Sequence, residues 1–389
     1  MTTPFDLLIE RRGTNSIKWD LFGDDVLPMW VADADYRSPE PVLAALQRKL
    51  DQGIFGYEIP PRSLLETVAA RMARLYNWAI TPDDIVTIPG IVTGLNVAAR
   101  AFAHTGDGVL MQPPVYPPFM GAAHSFGLTS EFAPLTRHVD GGRLSYAIDF
   151  DTFERAITPR TKFLMLCHPH NPTGQVYTPD ELRRMAEIAL RHDLIIVSDE
   201  IHSELLLGDT TFTPTAVAAP DAAARLVTFV APTKTFNLAG LGCGFAVVQN
   251  PRLRAQYKAA AEGIVPLVSA FSLAAAEAAF GVETDGWLTD LRAFLTANRE
   301  TLLAFVAQRL PGVLATAPAS TYLAWLDFSA LDLQPDPHKF VLHKAKVGLN
   351  DGAPFGPGGA GCLRLNFACP RERLLEGLER IARAIEDRA

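Results

Sequence analysis

At 389 residues the chain is long enough for two domains, or for one large domain with a smaller companion. Apolar residues make up 48% of it and charged residues 20%, proportions that disfavour disorder, collagen-like repeat and coiled coil. The formal charge of -8, with no basic block, argues against a nucleic-acid partner.

The N-terminus, MTTPFDLLIERRGTNSIKWD, is polar and lacks the apolar run of a secretion signal, and the four cysteines stand apart at 167, 243, 362 and 369. A reducing cytoplasm is the expected compartment. An arm rich in polar residues and proline runs to about residue 41. It leads into a helix over PEPVLAALQRKLDQG with Gly53 as its stop, then a helix over roughly 62–76.

From there, short apolar runs alternate with helical periodicity. The clearest strands are 108–112, 162–167, 193–198 and 225–230. Between two of them PDELRRMAEIALRH reads as a helix, capped by Thr178, with Pro179 in its first turn and Glu181 in the capping-box position. This order predicts a largely parallel sheet with helices on both faces. The alanine-rich stretch 259–280 is interrupted by Glu262, Pro266 and Glu277, so it reads as one or two buried helices and not as a membrane span. Beyond about 285 come a long helix, WLTDLRAFLTANRETLLAFVAQRL, strands in TYLAWLDF and CLRLNFA, and a closing helix over 371–388. The expected division is an arm over 1–45 that completes part of a small domain, a large domain over 46–284, and a small α+β domain over 285–389.

In open parallel sheets the ligand crevice lies beyond the carboxyl ends of the strands. Asn171, Asp199 and Lys234 each follow a predicted strand, so they can converge. Each also has a plain structural role: Asp199 as a capping or turn acid in DEIH, Lys234 as a solvated lysine, Asn171 as a turn-former beside Pro172 and Gly174. His168, His170, Asp199 and His202 are metal ligands by type, but no HExxH or cysteine-pair spacing accompanies them, and LAGLGCG lacks the GxGxxG fingerprint.

NPTG, SDEIHSELL and APTKTFNLAGLG, with GYEIP upstream and RLNFACP downstream, resemble the signature of fold-type I pyridoxal 5'-phosphate (PLP) enzymes of the class I/II aminotransferase superfamily. Together with RRGTNSIKWD, LPMWVADADY, QPPVYPPF and TYLAWLD, in this order from about residue 11 to 375, they resemble its branch of cystathionine β-lyases and related carbon–sulfur lyases of the MalY/PatB type. The resemblance implies an α/β fold: a large domain with a mostly parallel seven-stranded sheet between helices, plus a smaller α+β domain. It also implies PLP as cofactor, a small amino-acid substrate, and a homodimer with shared active sites.

Carried over by position, Lys234 resembles the lysine that holds the cofactor aldehyde, Asp199 the partner of the ring nitrogen, and Asn171 the donor to the 3'-oxygen. His202 stands where related aminotransferases have a tyrosine, its charge and tautomer left to its contacts. Tyr116 resembles the aromatic residue stacked on the ring and joins Lys234 and Asp199 in the catalytic group. Val92 and Thr93 would face the phosphate at a helix N-terminus, with Thr233 adding a hydroxyl. Tyr57 would reach the neighbouring subunit's phosphate, a core tyrosine being its alternative. Many aminotransferases have a phosphate-binding arginine eight residues after the lysine; here that position is Gly242, a gap the lyase branch shares. Arg364 resembles the arginine that grips the substrate carboxylate, with an internal salt bridge as its alternative. Asp33 and Tyr322 are candidate substrate-pocket walls, with core or turn roles as alternatives.

The activity implied is cleavage of L-cystathionine or related cysteine S-conjugates to a thiol, pyruvate and ammonia. The rivals are an aminotransferase, which shares the early chemistry, and a regulatory protein on the same fold.

Overall fold

A computed structural model describes residues 4–388. Its largest sheet has seven strands, in the spatial order Ile85–Ile88, Gly244–Val247, Leu226–Val230, Ile195–Asp199, Thr161–Cys167, Gly108–Met111 and Thr129–Phe132. All neighbours are parallel except Gly244–Val247, which runs antiparallel to both of its partners.

Side-chain alternation explains why such apolar strands are stable in the middle of the molecule. Along Thr161–Cys167, Leu164 and Leu166 join one apolar cluster while Phe163, Met165 and Cys167 join another. Successive side chains of a strand point to opposite faces, so each face has its own core under its own helices. One cover helix, Pro179–Arg191, forms as its sequence predicts. The Thr178 hydroxyl accepts from the Glu181 amide at 3.2 Å and the Glu181 carboxylate accepts from the Thr178 amide at 2.7 Å. Its buried face is Leu182, Met185, Ala186, Ile188 and Ala189.

The helix Glu40–Gln52 ends at Gly53 in the left-handed conformation, and Arg62–Tyr76 follows. The alanine-rich stretch divides between the end of Pro251–Ala261 and the helix Ala270–Phe280; among the described residues no helix is long and apolar enough to cross a membrane.

A second sheet has six strands, in the order Asn350–Asp351, Cys362–Asn366, Leu323–Asp327, Leu314–Thr316, Arg143–Ala147 and Thr136–Asp140. The last two form a hairpin that pairs with this sheet, although it lies in sequence within the stretch expected to form the large domain. The N-terminal arm also joins this part of the molecule. Leu27–Pro28 pairs with Val347–Gly348, and the Asp35 amide donates to the Ala368 carbonyl at 2.9 Å. Asp35, fully buried, accepts from Lys18 Nζ and the Trp19 indole, both at 2.9 Å. Asp35 also faces Arg11 at 3.3 Å and Arg373 at 3.6 Å, so losing its carboxylate would leave the fully buried Lys18 ammonium without a counter-ion at a cost of roughly 3–5 kcal/mol.

Candidate active site

The carboxyl ends of Thr161–Cys167, Ile195–Asp199 and Leu226–Val230 open into a pocket of about 390 Å³. Its wall brings together Val92, Thr93, Tyr116, Asn171, Asp199, His202, Thr233, Lys234 and Arg364. A larger groove of about 630 Å³, between Glu40–Gln52 and Ala270–Phe280, contains none of them.

Lys234 Nζ donates to the Ala32 carbonyl at 2.8 Å. Burial, with the Arg364 charge acting in the same direction, lowers its pKa to about 8, against the pull of Asp33 and Asp199. Asp199 is buried, and that burial raises its carboxyl to about 7, although the Ile201 amide and Lys234 favour the anion. His202 is buried as well, its Nδ1 without a partner, and desolvation with the nearby cations lowers it to about 3. Burial and the two cations beside it favour the neutral imidazole at neutral pH.

Arg364 reaches the pocket from the six-stranded sheet. It donates to Asn171 Oδ1 at 3.0 Å, Asn350 Oδ1 at 2.6 Å and the Trp30 carbonyl at 3.4 Å, with its guanidinium 5.2 Å from the Phe355 ring centre. No carboxylate pairs with it among the described residues, its Nε has no partner, and desolvation lowers its pKa to about 10. A buried, uncompensated guanidinium is costly and marks a place for an anion. The internal salt bridge that was its alternative is not formed. Because Asn171 Oδ1 is taken by Arg364, the asparagine presents its amide N–H to the pocket.

The helix Ile91–Phe102 begins at Gly90 with no side-chain cap, so its first N–H groups, near Val92 and Thr93, remain available. Gly242 stands against this turn: a Cβ there would overlap the Pro89 carbonyl oxygen. No arginine fits at that position, a steric reason for the gap in the sequence. Gly174 of NPTG is similarly constrained, with φ +73° and Pro318 in the space a side chain would need.

Three candidates lie outside this wall. Asp33 is not part of it: its carboxylate pairs with Arg11 at 3.0 Å, which turns it to the N-terminal arm. Tyr322 is buried behind Lys234, its hydroxyl donating to the same Ala32 carbonyl at 3.3 Å. Tyr57 is 97% exposed on the loop after Gly53, beside Lys49 and Glu58 in a separate surface groove. His168 and His170 serve the scaffold, donating from Nε2 to the carbonyls of Thr213 and Pro114 at 3.1 and 2.8 Å. Reasoning on sequence missed Ala32, Trp30 and Asn350. Ala32 acts through its main-chain carbonyl, which side-chain type does not signal; Trp30 lies in the motif LPMWVADADY but was given no role.

The family described as aminotransferase class I and II matches residues 25–381, and the chain belongs to it. Within the fold-type I superfamily it resembles the MalY/PatB cystathionine β-lyase branch. Cystathionine beta-lyase PatB of Bacillus subtilis (strain 168) is 40% identical over 390 residues, covering 98% of this chain and 99% of that protein. The crystal structure of OvoB shares the fold with a TM-score of 0.92 at 39% identity, covering 98% of each chain. Cystalysin from Treponema denticola, whose structure contains a pyridoxal 5'-phosphate cofactor, gives 0.94 at 32% identity, covering 100% of each.

Proposed function

We propose that this protein is a PLP-dependent carbon–sulfur β-lyase that cleaves L-cystathionine or related cysteine S-conjugates to a thiol, pyruvate and ammonia. The observation that carries the reading is the buried guanidinium of Arg364, without a carboxylate partner, in one pocket with the buried amine of Lys234 and the buried carboxyl of Asp199. Lyase names among the relatives support the choice of reaction.

The residues present fit the cofactor. Lys234 supplies an amine for the aldehyde, Asp199 a carboxylate for the ring nitrogen, and Asn171 an N–H for the 3'-oxygen, with neutral His202 alongside. Tyr116 lines the pocket as the ring's aromatic neighbour, and the uncapped helix start with the Thr233 hydroxyl suits the phosphate. When bound, PLP draws electrons from the α-carbon of an attached amino acid.

The chain's own residues do the rest. Arg364 holds the α-carboxylate through its planar fork. Lys234 Nζ removes the α-proton, and its lowered pKa makes the free amine accessible near neutral pH. Asp199 would hold the ring nitrogen of the bound cofactor, where a positive charge beside it would favour its anion against the burial that raises its pKa. Two cysteine-directed outcomes test the reading. Purified holoenzyme given L-cystathionine should release pyruvate and thiol with no 2-oxo acid acceptor added; strict dependence on such an acceptor with no thiol release would make it an aminotransferase.

The reading includes a cytoplasmic homodimer in which Tyr57 completes the neighbouring subunit's site. Its support is the segment 54–59, where Ile54 is 72%, Tyr57 97% and Ile59 81% exposed. So many exposed apolar side chains in one short segment are suited to burial by another chain.

A further inference from the structure

A second chamber, of about 330 Å³, adjoins the pocket and shares Trp30, Tyr116, Asn350 and Arg364 with it. Arg364 borders both cavities, so an amino acid whose carboxylate rests on it sits at their junction. The walls are apolar and aromatic: Leu21, Phe22, Trp30, Leu349 and Phe355. All but Leu21, which is exposed, are held in place. Phe22 and Trp30 meet edge to face with ring centres 5.8 Å apart, and Phe22 lies over Gly348, where a Cβ would come within 2.7 Å of the ring. The Trp30 indole N–H donates to the Lys18 carbonyl at 3.2 Å. Leu349 and Phe355 are buried.

The charges of the chamber are as informative as its walls. Besides Arg364 and Tyr116, its ionisable side chains are His338 and Asp351, and no lysine or second arginine lines it among the described residues. The Asp351 carboxylate accepts from the Ala353 amide at 3.1 Å.

We propose that this chamber receives the substituent on the substrate's sulfur and selects uncharged apolar groups, aryl or branched alkyl, over the amino-acid arm of cystathionine. The proposal rests on the lyase reading and deepens it. The far end of cystathionine carries a second ammonium and a second carboxylate. With Arg364 occupied by the α-carboxylate, the second carboxylate meets aromatic walls and neither lysine nor arginine, and the countercharge for the ammonium, Asp351, already accepts from the Ala353 amide, so both groups lose water for little return. An aromatic ring in the same place buries apolar surface and gains edge-to-face contacts with Phe22 and Trp30. The segment proposed to enter from the partner subunit adds no cation, since GIFGYEIP contains neither lysine nor arginine.

The test pairs turnover with binding. In the holoenzyme, kcat/KM from pyruvate release should favour S-benzyl-L-cysteine over L-cystathionine by about tenfold or more. Phe22→Ala should narrow that ratio by weakening the benzyl substrate while leaving cystathionine nearly unchanged. Titration calorimetry of PLP-loaded Lys234→Ala with the same two amino acids reads the preference without turnover, and the benzyl compound should again bind about tenfold tighter. Equal or better binding of cystathionine there would overturn the proposal, as would a holoenzyme ratio that Phe22→Ala leaves unchanged. If the holoenzyme releases pyruvate from neither compound, the lyase reading falls, and the calorimetric preference still decides what the chamber selects.

Discussion

Replacing Arg364 by methionine separates a ligand-binding arginine from a structural one. Burial lowers the guanidinium to about 10, which corresponds to a penalty of roughly 3 kcal/mol for keeping it charged in the fold. The sign follows from the two states: below that value both folded and unfolded chains carry the charge, so the penalty is complete at neutral pH and fades only as pH rises through about 10. Methionine removes it, keeps an apolar stem against Phe355, and leaves the Asn171 and Asn350 oxygens without their donor, at about 1 kcal/mol each. These terms nearly cancel. Thermal unfolding of the cofactor-free variant should therefore fall within about 2 °C of wild type. Catalysis should not survive so well. Two charge-assisted hydrogen bonds to a carboxylate are worth roughly 1.5–3 kcal/mol each, so kcat/KM should fall by about 10²–10⁴. A drop in Tm of about 5 °C or more with only a small kinetic loss would refute the reasoning and make Arg364 a brace between the sheets.

The rate at which cofactor-free protein takes up PLP should rise with pH and level off above about 8, because Lys234 must be neutral to react and burial lowers its pKa to that value; a midpoint near that of an ordinary lysine, followed by absorbance, would contradict it. Gly242→Ala should push the Pro89 carbonyl and the following helix start aside, costing about 1–3 kcal/mol in stability and at least about tenfold in PLP affinity, measured by denaturation and cofactor titration; normal cofactor retention would show that the turn yields freely. Mixing Tyr57→Ala with Lys234→Ala chains under subunit exchange should restore one working site per mixed dimer. Verified heterodimers without activity would return Tyr57 to its own subunit's site.

Where a residue's position depends on its place at a strand end, it was readable in advance. Lys234, Asp199 and Asn171 follow three neighbouring strands and meet in one pocket, and the capping box at Thr178 and Glu181 forms as written. Roles set by distant packing were not readable. The hairpin 136–147 leaves the large sheet to pair with Leu314–Thr316, a partner about 170 residues away that local pattern does not reveal. Asp33 was assigned to the pocket by its motif, but the deciding contact is Arg11, 22 positions earlier. Ala32 holds Lys234 with a carbonyl that every residue has, so no side chain announces it. The gap at Gly242 was visible as an absence, and only the Pro89 oxygen opposite explains it.

The meeting of the two cavities at Arg364 also bears on handedness. An α-carbon with its hydrogen facing Lys234, its carboxylate on Arg364 and its side chain in the chamber beyond Trp30 has three of its four bonds assigned to different places. The fourth, to nitrogen, is left one direction. A mirror-image amino acid that kept its nitrogen and carboxylate in place would exchange the hydrogen with the side chain, turning the bulky group away from the chamber and toward Lys234. Three attachment points make the site chiral in effect, so an amino acid and its enantiomer should differ in turnover far more than in any single contact.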